Sequence, residues 1–274
     1  MPNSIRVACI QPSSTQNMEE NISVVSEMIL DVASKGAKFI ATPENVALME
    51  HCVDSLIEQS GTLKDHPAIS TFADLAIRTK TYILIGSLAL KSKGRKLLNC
   101  SILIDSNGNI IGNYNKIHLF DVTLSSGEIY NESDLYKNGD KAVVVDLPWG
   151  KIGMTICYDL RFPSLYSLLA NAGAQVITIP AAFTRFTGKD HWHVLVRARA
   201  IESGCFIVAP GMWGQHSGGR STYGHSLIVD PWGKVLADAG EGVRSIIADI
   251  NLNTVSRVRL ELPTLKHEKK YRLL

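Results

Sequence analysis

The segment Lys151-Ile-Gly-Met-Thr-Ile-Cys-Tyr-Asp-Leu-Arg-Phe-Pro163 decides what fold and chemistry we expect of this chain. Its apolar run, Ile152 to Ile156, is typical of a core strand. The run ends at Cys157, and Pro163 then opens a helical pattern. A thiol at a strand-to-helix turn lies beside backbone N–H groups that favour a thiolate and can hold an oxyanion. Cysteine is also one of the most buried residue types, so this segment alone leaves Cys157 either a nucleophile or a core residue.

Two other segments also carry an ionisable side chain at the end of an apolar strand. The predicted strand within Lys38-Phe-Ile-Ala-Thr-Pro-Glu-Asn45 ends at Glu44. Lys116 lies in Asn113-Tyr-Asn-Lys-Ile-His-Leu-Phe-Asp121. Taken alone, each of these residues is typical of a solvated loop. Taken with Cys157, a glutamate and a lysine form a coherent set for nucleophilic catalysis that needs no histidine.

In these motifs the sequence resembles the nitrilase superfamily of carbon–nitrogen hydrolases, whose catalytic triad is Glu-Lys-Cys. The three motifs match in chain order: Thr42-Pro43-Glu44, Lys116-Ile117-His118-Leu119 and Cys157-Tyr158-Asp159-Leu160-Arg161-Phe162-Pro163. Later segments resemble the Nit branch, which contains omega-amidases and the amidases of deaminated glutathione. These segments are His191-Trp192, Arg197-Ala-Arg-Ala-Ile-Glu202, Ser221-Thr-Tyr-Gly-His-Ser226 and Val229-Asp-Pro-Trp-Gly233.

The resemblance also implies a second glutamate between the lysine and the cysteine. Glu132, sixteen residues after Lys116, is the matching position. The sequence departs from the family pattern at Ser164 and at His193, where relatives commonly carry glutamate. Neither position belongs to the triad, so the departures concern local contacts of the pocket.

The expected reaction follows from the residue types. A thiol with a pKa of about 8.5 is mostly neutral at pH 7, so Cys157 needs a base or a cation. Glu44 takes its proton, while Lys116 and the backbone N–H of Tyr158 hold the oxyanion that forms on the amide. Glu44 then protonates the departing nitrogen, ammonia leaves a thioester, and Glu44 activates the water that hydrolyses it. Glu132 would position Lys116 or the substrate amide.

The resemblance implies a small-molecule substrate, either deaminated glutathione or a 2-oxo acid omega-amide, hydrolysed at its terminal amide. Such an anion needs a cation in the pocket, ideally an arginine. The candidates are Arg161, Arg185 and Arg220. Arg161 has a structural alternative, in which it locks the cysteine turn by pairing with an acid. Of the other two, Arg185 is the first choice because it follows a strand end on the nucleophile's edge. Phe183 and His191 complete the predicted substrate contacts. Two alternatives stay open: an N-carbamoyl (ureido) hydrolase of the same superfamily, and a binding protein that has lost turnover.

Composition agrees with a globular enzyme. The 274 residues are 45% hydrophobic with a net charge of +2, which gives no nucleic-acid signal. We expect one carbon–nitrogen hydrolase domain over residues 1–274, with 262–274 as a C-terminal tail. Five cysteines without a CxxC pair argue against disulfides. Neither a signal peptide nor an apolar stretch of about 20 residues is present, so we expect a cytoplasmic protein with no membrane contact.

No metal or cofactor is expected. His191 and His193 lie two positions apart in a helical pattern, hence on different faces, and no third ligand is apparent. The glycine-rich stretch from Gly211 to Gly219 lacks the spacing of a dinucleotide fingerprint. Gly224-His225-Ser226 is followed by Ile228 where a serine elbow requires glycine.

Helical and strand periodicities alternate early in the chain, and hairpin signals follow. They indicate an α/β fold with two sheets and outer helices, in agreement with the four-layer αββα sandwich that the resemblance implies. The strands are expected near 6–10, 39–42, 82–89, 99–105, 143–146, 152–157, 176–180, 206–209, 225–229 and 246–249, and the helices near 18–34, 68–79, 164–172 and 190–202. The resemblance also implies a homodimer or a higher homo-oligomer, paired through residues 164–172. Leu165, Leu168 and Leu169 have helical spacing there, and this spacing fits equally well a helix that covers the protein's own sheet.

Overall fold

A computed structural model describes residues 4–273 of the chain. Its strands are β1 Ser4–Gln11, β2 Phe39–Ala41, β3 Tyr82–Lys91, β4 Leu97–Ile104, β5 Ile110–Asn115, β6 Asp121–Thr123, β7 Ile129–Asn131, β8 Val143–Leu147, β9 Gly150–Met154, β10 Val176–Thr178, β11 Phe206–Ala209, β12 Trp213–Gln215, β13 Ser221–Tyr223, β14 Leu227–Val229, β15 Val235–Asp238 and β16 Arg244–Asn251. Its α-helices are α1 Met18–Ser34, α2 Val53–Gln59, α3 Pro67–Thr79, α4 Glu132–Leu135, α5 Pro163–Asn171, α6 Arg185–Ser203, α7 Asn253–Glu261 and α8 Thr264–His267. Short 3₁₀ turns cover Cys157–Arg161 and Ser217–Gly219.

Two six-stranded sheets form the centre of the molecule. The first has the strand order β16-β1-β2-β3-β4-β5, and the second has the order β15-β14-β11-β10-β9-β8. In each sheet the inner strands are parallel (β1-β2-β3 and β9-β10-β11), and the flanking pairs are antiparallel. The ends of the inner parallel strands carry Glu44 and Cys157 toward the same region.

Period-two alternation in the strands builds the layers. In β1, Val7 and Cys9 belong to the core between the sheets, whereas Ala8 and Ile10 pack under helices α1 and α3. Helices α5 and α6 cover the outer face of the second sheet, for example through Trp192. The order is therefore helix, sheet, sheet, helix, and the predicted four-layer αββα sandwich is confirmed.

Most predicted elements are present with small shifts at their ends. The strand expected at 152–157 stops at Met154, because Cys157 already begins a 3₁₀ turn. The helix expected at 190–202 begins earlier, at Arg185, where the side chain of Thr184 caps it. Sequence periodicity did not predict β5, β15, the two short hairpins β6-β7 and β12-β13, or helices α2 and α7. These elements are short or mostly polar, so they carry little apolar pattern.

The predicted dimer helix is only partly as expected. Leu165 and Leu169 are buried against the second sheet, and only Leu168 of the three is exposed. Cys9, Cys100 and Cys205 are buried thiols, and Cys52 is exposed. Residues 262–273 contain one short helix, α8, and are mostly exposed. No helix in residues 4–273 has the length and apolar composition required to cross a membrane.

Candidate active site

Glu44 lies in a tight turn after β2. The turn packs so closely on β3 that a side chain at Gly86 would collide with the carbonyl oxygens of Thr42 and Pro43. The Thr42 hydroxyl accepts a hydrogen bond from the Gly86 N–H at 2.9 Å. Asn45, directly after the glutamate, has a positive φ of 57°. Gly86 and this backbone conformation turn the Glu44 carboxylate into the interior, where it is buried.

Lys116 follows β5 and is also buried. Its backbone N–H donates to the Asn99 carbonyl on β4 at 2.9 Å, and its own carbonyl accepts from the Gly139 N–H at 2.8 Å. These bonds hold the chain on both sides of the lysine. The side chain therefore extends from a fixed backbone toward Glu44.

Cys157 occupies the turn that the sequence predicted between strand and helix. Its φ is 45°, a left-handed conformation that non-glycine residues seldom adopt. Its backbone N–H donates to the Pro180 carbonyl at 2.9 Å. The next N–H, that of Tyr158, lies in the first turn of the 3₁₀ segment, where helical hydrogen bonding leaves donors unused.

Asp159 ties the cysteine turn to the lysine loop. Its fully buried carboxylate accepts from the Ile156 N–H at 2.8 Å and from the Tyr114 hydroxyl at 2.7 Å. On the loop that carries the lysine it also accepts from the His118 N–H at 3.1 Å, and it lies 2.7 Å from His118 Nδ1. The ring of His118 stacks on Phe162 with centroids 3.6 Å apart. From the sequence, Asp159 has no assigned role; the available signal is an acidic residue two positions after the cysteine.

The four predicted catalytic side chains converge. Lys116 Nζ lies 2.9 Å from Glu44 Oε1, 2.9 Å from Glu132 Oε2 and 3.1 Å from Glu132 Oε1. Glu132 comes from the start of the short helix α4 and also accepts from the Phe120 N–H at 2.7 Å. Cys157 lines the same cavity as these three residues. The structure thus brings them together, while their catalytic roles stay predictions.

Asn99 is a further member of this network that sequence reasoning missed. Its Nδ2 donates to Glu44 Oε1 at 2.9 Å and to Glu132 Oε1 at 3.0 Å. The amide thus bridges the two carboxylates that Lys116 also bridges. A single asparagine inside an apolar strand gives no sequence signal for this role.

The charges of the network are strongly coupled. Burial alone would raise the pKa of Glu44, but Lys116, Arg220 and the Ala182 N–H lower it to about 2. Burial would lower the pKa of Lys116, but Glu132, Glu44 and Cys157 raise it well above its usual range. Burial and the Glu44 carboxylate raise the pKa of the Cys157 thiol well above its ordinary value. The resting site therefore combines a carboxylate, an ammonium and a neutral thiol.

A cavity of about 350 Å³ opens over the network. Aromatic residues form much of its wall, and Thr184, Thr187 and Arg220 also line it; the aromatic residues are Phe120, Tyr130, Tyr136, Tyr158 and Phe183. A second cavity of about 290 Å³ adjoins the first, and Arg220 borders both. The predicted contact Phe183 is thus at the pocket.

Arg185 and Arg161 do not line this cavity. Arg185 pairs with Glu241 at 2.8 Å and stacks on Trp213, 5.2 Å from the ring centre. Arg161 lies over the Phe183 ring at 5.2 Å, and its Nη1 lies 3.2 Å from His191 Nδ1. The position of Arg185 therefore does not support it as the anchor. Arg161 and the exposed His191 also lie outside the lining of the cavity.

Arg220 is the arginine that reaches the cavity. Its Nη2 donates to the Ala182 carbonyl at 2.8 Å, and the guanidinium lies 5.6 Å from the centre of the Tyr130 ring. Its buried Nε has no hydrogen-bond partner within residues 4–273. Arg220 lies close enough to Glu44 and Cys157 for its positive charge to lower the pKa of both groups.

A model of the carbon–nitrogen hydrolase family matches residues 6–260. The chain belongs to the carbon–nitrogen hydrolase family. A protein of Synechocystis sp. (strain PCC 6803 / GT-S) named deaminated glutathione amidase is 39% identical over 269 residues, which cover 95% of this chain and 96% of the relative. The human protein of that name is 34% identical over 268 residues, or 96% of this chain and 82% of the relative.

Solved structures agree with this hydrolase assignment. The C. elegans NitFhit protein has a TM-score of 0.90 and 32% identity, and the match covers 98% of this chain and 66% of that one. Saccharomyces cerevisiae Nit3, a member of branch 10 of the nitrilase superfamily, has a TM-score of 0.86 and 29% identity, with 95% and 94% covered. The predicted resemblance and the prediction of an enzyme that hydrolyses carbon–nitrogen bonds are confirmed.

Proposed function

We propose that this hydrolase is an amidase that cleaves the amide of a small anionic compound, deaminated glutathione in preference to 2-oxoglutaramate. The observation that carries the proposal is the buried network of Glu44, Lys116 and Glu132 at the wall of the cavity that Cys157 lines. The names of the relatives support the choice of deaminated glutathione.

The charge states define the proposed first step. Because the thiol is neutral and Glu44 is ionised at rest, Cys157 loses its proton to Glu44 only as the sulfur attacks the amide carbon. Negative charge then develops on the carbonyl oxygen. The Lys116 ammonium and the Tyr158 N–H stabilise it. Glu132 and Asn99 keep Lys116 and Glu44 in place during this step.

Collapse of the tetrahedral adduct breaks the carbon–nitrogen bond, and Glu44 returns the proton to the departing nitrogen. The thioester on Cys157 is then hydrolysed by water that Glu44 deprotonates. A primary amide releases ammonia, as the sequence predicted. Deaminated glutathione is an N-substituted amide, so its leaving group is the amine of cysteinylglycine, and its acyl product is 2-oxoglutarate.

Arg220 is the proposed anchor for the substrate carboxylate. It is the arginine that lines the cavity, and its Nε–H is unpaired in the described part of the chain. A bidentate arginine–carboxylate contact needs such free donors in one plane. Arg220 borders both cavities, so a substrate held here has room to extend into the second one. That room favours the longer substrate, deaminated glutathione.

The test compares kcat/KM for deaminated glutathione, 2-oxoglutaramate and a neutral aliphatic amide. Both anionic amides yield 2-oxoglutarate, so one assay measures both. Arg220→Gln also removes a charge that lowers the pKa of Glu44 and Cys157, so kcat/KM should fall for every substrate. Loss of the charged hydrogen bond to the carboxylate should lower kcat/KM for the anionic amides about 10- to 100-fold more than for the neutral amide. Arg185→Gln is the matched control and should behave like the wild type, because Arg185 pairs with Glu241 outside the cavity.

Each other result has a defined meaning. A loss of kcat/KM for the anionic amides in Arg185→Gln instead of Arg220→Gln would identify Arg185 as the anchor. A wild-type preference for the neutral amide would refute the anionic substrate. Ammonia and carbon dioxide from N-carbamoyl compounds would favour the ureido hydrolase, and no product from any compound would favour the binding protein.

A further inference from the structure

Three side chains outside the proposed reaction converge on the surface beside α6. His193 lies in α6, His225 follows β13, and Asp238 ends β15. His193 Nε2 is 3.0 Å from Asp238 Oδ2, and His225 Nδ1 is 3.1 Å from Asp238 Oδ1. One nitrogen of each ring and one oxygen of the carboxylate all lie within 4.8 Å of one another. We propose that His193, His225 and Asp238 form a binding site for a divalent transition-metal ion, with Zn²⁺ as its probe.

The spacing of the ligand atoms fits such an ion. Zinc bonds to imidazole nitrogen and carboxylate oxygen are about 2.0–2.2 Å long, so ligand atoms in a tetrahedral site lie about 3.3 Å apart. Asp238 Oδ2 lies 3.0 Å from His193 Nε2 and 3.2 Å from His225 Nδ1, and both distances are within a few tenths of an ångström of that value. A nitrogen of each ring lies within 4.8 Å of the other, so binding of an ion would require the two rings to move closer together. A bound ion would replace the hydrogen bonds that these atoms now share.

The ligands are held by the surrounding backbone. Asp238 Oδ1 accepts from the Gly240 N–H at 2.8 Å. His225 has a positive φ of 49°, and its N–H donates to the Gly240 carbonyl at 3.1 Å, while its own carbonyl accepts from Trp192 Nε1 at 2.8 Å. A contact to the ligand group itself, such as the one from Gly240 to the Asp238 carboxylate, orients a metal ligand and raises the affinity of a site. These bonds hold His225 in its unusual backbone conformation, in which its ring lies against Asp238.

The chemistry of the cluster selects the class of ion. Two imidazoles and one carboxylate suit Zn²⁺, Co²⁺, Ni²⁺ and Cu²⁺ better than Mg²⁺ or Ca²⁺, which prefer oxygen ligands. All three side chains are partly exposed, so an ion can enter and retain water as a fourth ligand. The ring of Tyr223 stacks on His225 with centroids 4.4 Å apart and shields one side of the site.

The proposed site differs from the expectation of no metal, which considered only His191 and His193 within one helix. Of the other two ligands, His225 follows β13 and Asp238 ends β15, so no local spacing in the sequence indicates them. The position also suggests a consequence for the cavity. Tyr223 donates its N–H to the Phe183 carbonyl at 2.9 Å, and Thr187 of α6 lines the cavity. An ion here would cross-link α6 to β15 and stabilise that wall.

The test is calorimetric titration of the full chain with Zn²⁺, together with its melting temperature. Zinc also binds thiols, so the titration is made in a Cys52→Ser, Cys157→Ser background, which leaves the other three cysteines buried. We expect one equivalent to bind and to raise the melting temperature. His193→Gln and Asp238→Asn should each weaken binding about tenfold or more. His267→Gln, which changes an exposed histidine far along the chain, is the control and should bind as the background does.

Two results would overturn the site. One is the absence of saturable one-to-one binding in the background protein. The other is unchanged affinity in both His193→Gln and Asp238→Asn. If Asp238→Asn fails to fold, His193→Gln carries the test, because its side chain is on the surface of α6. The readout is independent of turnover, so its failure leaves the proposed amidase function untouched.

Discussion

Two mechanisms for this enzyme differ in the charge state of Cys157. In one the thiol is neutral until it attacks the substrate, and in the other it is already a thiolate. Burial and Glu44 raise the pKa of its thiol well above the ordinary value, so the thiol should remain neutral even near pH 8.5, where a free thiol is half ionised. The measurement is the ultraviolet absorbance of thiolate as a function of pH, in the wild type minus Cys157→Ser. We expect no difference between the two up to about pH 8.5.

A thiolate signal that titrates below about pH 7 would instead show a preformed ion pair with Lys116. In that case Glu44 would not be needed as the base for attack. The Cys100→Ser variant is a suitable control for the subtraction, because Cys100 is a buried thiol outside the cavity.

The sequence was sufficient to predict which residues would meet, but not all of their partners. Glu44, Lys116 and Cys157 were found because each follows an apolar strand in a family motif. Asn99 and Arg220 were missed or ranked too low, because their contacts are made across the fold by residues far apart in the chain. The place of Arg185 after a strand end favours it as the anchor, but its pairing with Glu241 cannot be read from the sequence.

Among the secondary-structure elements, the contact between β3 and the turn after β2 depends on Gly86. A side chain here would collide with two backbone carbonyl oxygens, which cannot move aside as a flexible side chain can. Gly86→Ala should lower the free energy of unfolding by about 2–3 kcal/mol or more and should reduce kcat by displacing Glu44. Urea unfolding and steady-state kinetics measure the two effects.

Gly94→Ala is the matched control for this prediction. Its new side chain would meet only the Ser92 hydroxyl, at 3.9 Å, so both quantities should stay close to wild type. A Gly86→Ala protein with normal stability and activity would show that the turn can shift without moving the carboxylate.

Periodicity in the sequence predicts the inner strands of both sheets and the long helices that cover them. Helix α1 has the expected ends, Met18 and Ser34. Prediction failed where the pattern is short, as in the hairpin β12-β13. That hairpin brings Arg220 to the cavity, so the element that was hardest to predict also carries the proposed anchor. Its position depends on tertiary contacts such as the hydrogen bond from Arg220 to Ala182.

For the molecule as a whole we propose a homodimer. Leu168 of α5 is 57% exposed and Val194 of α6 is 65% exposed. Ile201, one heptad after Val194, and Trp232 are exposed as well. Exposed apolar side chains that lie near one another on a protein surface are typical of an interface. Sedimentation should give twice the 30.0 kDa mass of the chain, or a multiple of that.

Val194→Glu should shift this equilibrium toward the monomer, because it places a charge in the proposed interface. Leu260→Glu changes an exposed leucine of α7 and should leave the mass unchanged. A wild-type protein that is monomeric at micromolar concentration would refute the dimer. If only Leu260→Glu dissociates the dimer, the interface is at α7.

The pairing of β1 with β16 has a consequence for how the protein is made. Ser4 lies opposite Asn251, so the strand at one end of the sequence finds its partner near the other. On the ribosome, at about 5–20 residues per second, β1 would wait on the order of tens of seconds for β16 to emerge. Until then one apolar edge of the first sheet has no partner, and such an edge readily pairs with another chain. Nascent copies are therefore most prone to aggregate in this interval, whatever the stability of the finished fold.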